Sequence, residues 1–214
     1  MVSTLTKNYK TFRSLDLSTK CIRIKNGHPC EYCYVQRARK IGYRAKTEYD
    51  RIPYGNDILR LKTKTVLQLN KIGGLRLFAF GDYEPWMKPH IIKIIDNAER
   101  KGLLLKAITK QLNFLEFCDK IFTNYSMDFV HGFPSFPCFE HPNLKYRVMV
   151  RNEDEVKQIY KEADILTPYH GPKINENYRP KEAKLSSIEH ARNKTCCIVP
   201  QCIDCTVKCG RTIN

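Results

Sequence analysis

Apolar residues recur in two different patterns from residue 56 onward, and together these patterns predict helices alternating with buried strands. Short apolar runs begin near residues 75, 103, 120, 145 and 164, and polar turns follow them. The intervals can accommodate the dozen or more residues that a crossover between parallel strands needs. Continuous apolar strands separated by helices favour a parallel sheet with helices packed on it. The chain is therefore expected to be an α/β protein.

The predicted helices carry their apolar residues on one side. One helix begins at a capping Asn56 or Asp57 and runs to Leu69. A second helix covers residues 87–101 and ends at a glycine, Gly102. Helical periodicity predicts that its buried face consists of Ile91, Ile92, Ile95 and Ala98.

A further strand is predicted near the start of the chain, where Leu15, Leu17, Ile22 and Ile24 alternate with polar residues. It raises the number of strand units to six, too few for a closed eight-unit barrel of about 250 residues. Two architectures remain on the pattern alone: a partial barrel and a doubly wound open sheet.

The chain contains ten cysteines, which is more than its core requires, because a chain of 214 residues can bury a stable core without disulfides or metal sites. No apolar run approaches the length of a membrane span, and residues 1–20 lack the apolar centre of a signal peptide. A cytoplasmic location without a membrane partner is therefore expected. Clustered cysteines in such a setting indicate metal binding rather than disulfides.

The first cysteine group consists of Cys21, Cys30 and Cys33. Gly27 and Pro29 predict a loop between the first two, and this loop can fold back to bring the three thiolates together. Three thiolates can hold three corners of a cubane cluster and leave the fourth iron open. A structural zinc site is the alternative.

The segment Cys30-Glu31-Tyr32-Cys33 resembles the second half of the radical S-adenosylmethionine (radical SAM) signature, Cys-x-x-x-Cys-x-aromatic-Cys, with Tyr32 at the aromatic position. Eight residues separate Cys21 from Cys30, where the family usually has three. Small phage-encoded proteins with a stretched first gap are similar. The resemblance implies a partial (β/α)6 barrel and a [4Fe–4S] cluster on Cys21, Cys30 and Cys33. It further implies an external electron donor and reductive cleavage of SAM to a 5′-deoxyadenosyl radical.

The segment Gly81-Asp82-Tyr83-Glu84-Pro85 follows the strand near residue 75 and resembles the family's Gly-Gly-Glu-Pro segment, with one residue of difference in spacing. In the family that segment holds the methionyl ammonium of SAM, and a buried ammonium requires a carboxylate. A strand-terminal turn with a helix-capping carboxylate is the alternative. The predicted cofactor-binding residues, including two polar residues at the ends of later strands, are Tyr32, Gly81, Asp82, Glu84, Lys110 and Ser126.

A second cysteine group ends the chain and consists of Cys197, Cys202, Cys205 and Cys209. Four thiolates can bind zinc or a second iron–sulfur cluster, and the spacing leaves both open. Cys196 adjoins Cys197, so only one of the two is expected to bind the metal. The predicted organisation is a barrel over residues 1–171, followed by a wrapping arm and cysteine-rich tail over residues 172–214.

Basic residues exceed acidic ones by 37 to 22, which gives a net charge of +15. Part of this basic excess lies in a predicted helix after Cys33, which contains Arg37, Arg39 and Lys40. A basic excess favours polyanions, so nucleic acid or a phosphorylated substrate is the expected partner, and nucleic-acid modification is the corresponding expected activity. The other function considered is a non-catalytic, zinc-stapled, basic nucleic-acid-binding protein.

Overall fold

The computed structural model describes eight stretches of the chain: residues 5–7, 13–15, 56–71, 73–78, 81–128, 136–150, 153–159 and 161–168. Seven strands in these stretches form one sheet. Their bounds are β1 Leu5–Lys7, β2 Arg13–Leu15, β3 Leu75–Leu77, β4 Leu105–Thr109, β5 Phe122–Asp128, β6 Leu144–Val150 and β7 Ile165–Pro168.

The strands are ordered in the sheet as they are in the chain, from β1 to β7. β1 is antiparallel to β2, whereas every later pair of neighbours is parallel. A doubly wound sheet reverses its order at a switch point. The described strands have no such reversal. The prediction of an α/β protein with a parallel sheet is confirmed.

The helices lie between the parallel strands, as predicted. They are α1 Asn56–Leu59, α2 Thr63–Lys71, α3 Lys88–Lys101 and α4 Glu153–Ile159, with short 3-10 helices at Pro85–Met87 and Leu112–Phe117. The single helix predicted from residue 56 to Leu69 is instead divided into α1 and α2. At the end of the first helix, the amide of Leu61 donates a hydrogen bond to the Ile58 carbonyl. The Lys62 carbonyl accepts the first hydrogen bonds of the second helix.

Helix α3 buries Ile91, Ile94, Ile95 and Ala98, whereas Ile92 is 46% exposed. The prediction that Ile92 belongs to the buried face was wrong. Buried residues at spacings of three and four follow one stripe of a helix, and the next residue along the chain points about 100° away. Gly102 ends the helix in the left-handed conformation, with φ of 58°.

The two faces of the sheet differ in chemistry. Side chains alternate along a strand, and register partners on neighbouring parallel strands lie on the same face. One face, called the apolar face below, includes Leu15, Leu75, Leu77, Leu105, Ala107, Val148 and Val150. These residues form the core clusters with residues of α1, α2, α3 and α4.

The opposite face is called the polar face below. Its described side chains are Arg76, Lys106, Ile108, Phe122, Asn124, Ser126, Lys145, Arg147, Met149 and Ile165. None of these side chains belongs to the core clusters found among the described residues. The described helices therefore pack on the apolar face.

No helix in the described part of the chain is long and apolar enough to cross a membrane.

Candidate functional site at the carboxyl ends of the strands

Two described residues that follow β3 have positive φ angles. Phe78 has φ of 59° and Gly81 has φ of 78°. The left-handed conformation costs a residue with a side chain roughly 1–2 kcal/mol, so the surroundings must hold Phe78 in place. Its ring is buried and meets the Phe114 ring edge-on at 5.3 Å. Core packing therefore stabilises the left-handed backbone conformation of Phe78 at the end of β3.

Asp82 is the residue that joins this turn to the next strand. One carboxylate oxygen, Oδ1, accepts hydrogen bonds from the amide of Tyr83 at 2.8 Å and from the hydroxyl of Thr109 at 2.5 Å. The other, Oδ2, accepts one from the amide of Lys110 at 2.8 Å. The side chain is buried. Asp82 therefore ties the end of β3 to the end of β4.

Tyr83 anchors the same turn in the helical layer. Its ring packs edge-on against Phe114 at 5.3 Å and Phe117 at 5.8 Å. Its hydroxyl donates to Oε1 of Glu116 at 3.4 Å, and Glu116 also pairs with Lys88. Burial, then the nearby negative charge and hydrogen bond of Glu116, raise the pKa of Tyr83. The phenol group therefore stays neutral. Its ring packing and its hydrogen bond attach the turn to the helical layer.

Glu84 differs from Asp82 in what its carboxylate contacts. The residue is only 8% exposed, and its backbone carbonyl accepts from the amide of Met87 at 2.8 Å. Its carboxylate does not cap the 3-10 helix that follows. Nor does the carboxylate hydrogen-bond or ion-pair with any other residue that the structure describes. Within that part of the protein, Glu84 is the carboxylate that could receive a ligand's ammonium group.

The other predicted cofactor-binding residues are distributed along the same edge. Lys110 contacts Asp82 through its backbone amide, so the structure brings Gly81, Asp82 and Lys110 together. Ser126 lies farther away, on β5, where it is buried and in register with Arg147 of β6.

Several predicted site residues lie outside the described stretches: Tyr32, Cys21, Cys30, Cys33, Cys197, Cys202, Cys205 and Cys209. Within those stretches, no group of three or more His, Cys, Asp or Glu residues could hold a metal ion. The cysteine sites therefore stay predictions.

Trp86 is a candidate that the sequence analysis missed. It is 48% exposed, lies two residues after Glu84, and meets the ring of His90 edge-on at 5.9 Å. An exposed indole beside a carboxylate can stack on a ring or a cation. The signal in the sequence was a lone tryptophan directly after the acidic turn.

The polar face of the sheet was also missed by the sequence analysis. Basic and amide residues inside otherwise apolar strands were the signal, for example Lys106 in β4 and Arg147 in β6.

Comparisons with known proteins identify no family. The chain matches no protein-family model, no curated protein and no solved structure. The site is therefore interpreted from its residues and geometry.

Proposed function

We propose that this protein is a radical SAM-like iron–sulfur enzyme with a partial (β/α)6 barrel. It reductively cleaves SAM and acts on a substrate that is a nucleic acid or a nucleotide. The observation that carries the proposal is the turn after β3. It places a buried carboxylate, Glu84, beside the carboxyl ends of parallel strands, where α/β proteins bind ligands.

The sheet supports the barrel part of this proposal. Strands β2 to β7 are parallel and follow one another in order, which is the arrangement of a singly wound barrel. A closed eight-stranded barrel fills its interior with branched apolar side chains. The polar face carries Arg76, Lys106, Asn124 and Arg147 instead, which suits an open barrel whose inner face meets a ligand.

The residues present suit the expected cofactors in chemical type. Cys21, Cys30 and Cys33 would hold the cluster, and Glu84 would balance the methionyl ammonium, because a buried ammonium needs an opposite charge. The cluster and SAM supply a 5′-deoxyadenosyl radical when bound. Asp82 has a positioning role, since its bonds to the end of β4 fix the backbone that carries Glu84.

The four C-terminal cysteines belong to the proposal as a second metal site, either an iron–sulfur cluster or zinc. The second candidate function is a zinc-stapled nucleic-acid-binding protein without catalysis. The net charge of +15 together with two cysteine groups favours it.

Metal analysis separates the two functions. Protein purified and reconstituted without oxygen should be brown and contain about four iron and four sulfide per cluster. Serine substitutions at Cys30 or Cys33 should remove the N-terminal cluster. A colourless protein with stoichiometric zinc at both cysteine groups would overturn the enzyme proposal in favour of the binding protein.

The role of Glu84 is tested by SAM binding. The substitution Glu84→Gln should weaken SAM binding roughly tenfold or more, since it removes a charge-assisted contact, and should leave the iron content unchanged. The matched control is Glu162→Gln, at an exposed position. Trp86 is the sole tryptophan of the chain, so its fluorescence can follow the titration from beside the site. Equal SAM affinity in both variants would show that Glu84 does not hold the ammonium.

A further inference from the structure

We propose that the polar face of the sheet binds a phosphate-bearing ligand of nucleotide size, held by Arg76, Lys106, Lys145 and Arg147. Asn124 and Ser126 would supply the uncharged hydrogen-bonding groups. This inference deepens the proposed function, because it names the residues that would bind its nucleotide or nucleic-acid substrate, but its evidence comes from the sheet alone. It therefore stands or falls separately from the cysteine clusters.

Charge is the first argument for an anionic ligand. Four basic side chains on this face come from three strands: Arg76 of β3, Lys106 of β4, and Lys145 and Arg147 of β6. Asp128, at the end of β5 and in register with Met149, is an acidic position on the same face, so basic positions outnumber acidic ones along the described strands. A multiply charged anion that spans these positions would interact favourably with several of these basic groups at once.

The pairing of Arg76 with Lys106 is the second argument. They are register partners on neighbouring strands, which lie about 4.8 Å apart. Like charges placed directly opposite each other destabilise a sheet. In addition, the Nε of Arg76 is buried and has no hydrogen-bond partner among the described residues. A phosphate oxygen at this position would satisfy the guanidinium and separate the two charges.

The other basic pair lies towards the carboxyl ends of the strands. Arg147 is in register with Ser126, and Lys145 is in register with Asn124. The two levels are about 6.6 Å apart along the strand. Arginine binds phosphate through two parallel N–H groups, and lysine binds it as a point charge. The Lys145 ammonium lies 6.0 Å from the centre of the Phe122 ring, which confirms that it projects over the polar face.

The extent of these groups indicates the size of the ligand. From β3 to β6 there are three strand intervals, or about 14 Å across the sheet. A single phosphate contacts one end of this row, whereas a polyphosphate or a short run of nucleotides contacts both. The shared chemistry is phosphate, and it can come from a free nucleotide or from a single-stranded nucleic acid.

A pair of charge-matched double variants tests the proposal. The substitutions Lys145→Gln and Arg147→Gln remove two positive charges from the polar face. The control substitutions, Lys93→Gln and Arg100→Gln, remove two from exposed positions of α3. The probes are inorganic tripolyphosphate and a single-stranded DNA of ten nucleotides, titrated by calorimetry at about 50 mM and 200 mM salt. The iron content of every sample is measured in parallel.

The polar-face double variant should bind tripolyphosphate at least tenfold more weakly than wild type, since two charge-assisted contacts are lost. The control should bind within about twofold of wild type. Tripolyphosphate that displaces the DNA would assign both to one phosphate site. If the polar-face double variant weakens the binding of DNA but not that of tripolyphosphate, the ligand is assigned to a nucleic acid.

Three results would overturn the inference: no binding of either probe, equal weakening in the two double variants, or a polar-face variant that binds like wild type. If the double variant fails to fold by circular dichroism, Arg147→Lys replaces it. That variant keeps the charge but loses the paired N–H groups, and it should still bind several-fold more weakly. A colourless protein that binds tripolyphosphate through this face would keep the inference and remove the proposed function.

Discussion

Replacing Asp82 by alanine should be among the most destabilising single changes in the described part of the protein. The carboxylate accepts three hydrogen bonds, from the amides of Tyr83 and Lys110 and from the hydroxyl of Thr109. Alanine would leave all three donors without this acceptor. Because the bonds to Thr109 and Lys110 connect the turn to the end of β4, their loss would leave the turn less firmly attached to that strand.

The size of the effect follows from the burial of the donors. Tyr83 and Thr109 are buried, so each lost bond leaves a donor that water reaches poorly, at a cost of about 1.5–2 kcal/mol. Lys110 is half-buried, and water can replace part of its bond, which lowers that cost to about 0.5–1 kcal/mol. The free energy of unfolding should fall by about 3.5–5 kcal/mol. Asp82→Asn keeps one acceptor oxygen and should cost about 1–2 kcal/mol.

Urea unfolding measures these differences. Far-ultraviolet circular dichroism reports on the helices, and the fluorescence of Trp86 reports on the turn, four residues after Asp82. The control is Asp96→Ala, at an exposed position of α3, which should change the free energy by no more than about 0.5 kcal/mol. The reasoning fails if Asp82→Ala unfolds at the same urea concentration as the control.

One further prediction compares two glycines, and another compares two cysteines. A Cβ at Gly74, where φ is 98°, would lie 2.2 Å from the Leu104 carbonyl oxygen, so Gly74→Ala should lower the free energy of unfolding by more than about 3 kcal/mol. Gly102→Ala meets open space at φ of 58° and should cost about 1 kcal/mol; equal costs in urea unfolding would contradict this. Native alkylation followed by peptide mass spectrometry should label exposed Cys138 well before Cys118, because burial raises the pKa of the Cys118 thiol. Equal labelling would refute that difference.

The strand and helix pattern was predictable because most elements carry their buried apolar residues at regular spacings. β5 shows where this failed. The sequence predicted a short apolar run from about residue 120 with a polar turn after it, whereas the strand runs from Phe122 to Asp128. Asn124 and Ser126 are typical turn residues, so they concealed the strand. In the structure they lie on the polar face, where a strand can carry polar side chains.

The candidate site was predictable in position but not in the role of each residue. A carboxylate after a buried strand could be located from the pattern alone. Its partners could not, because Asp82 bonds to Thr109, a residue 27 positions later in the chain. Only the register of β3 with β4 brings them together. The same hydrogen bond distinguishes the two carboxylates of the turn. The carboxylate of Asp82 is bound within the protein, whereas that of Glu84 is not bound to any described residue.

The order of the strands also has a consequence for biosynthesis. Each strand from β2 onward pairs with the strand made immediately before it, so the sheet can grow by one strand at a time as the chain leaves the ribosome. In a doubly wound sheet, by contrast, a later strand must return to an earlier edge. Loop closure becomes costlier with chain length, and from β3 onward pairing between successive strands avoids the longer loops that a return to an earlier edge would require. Nascent chains that end after β4 or β5 should therefore already possess the growing edge onto which the next strand is added.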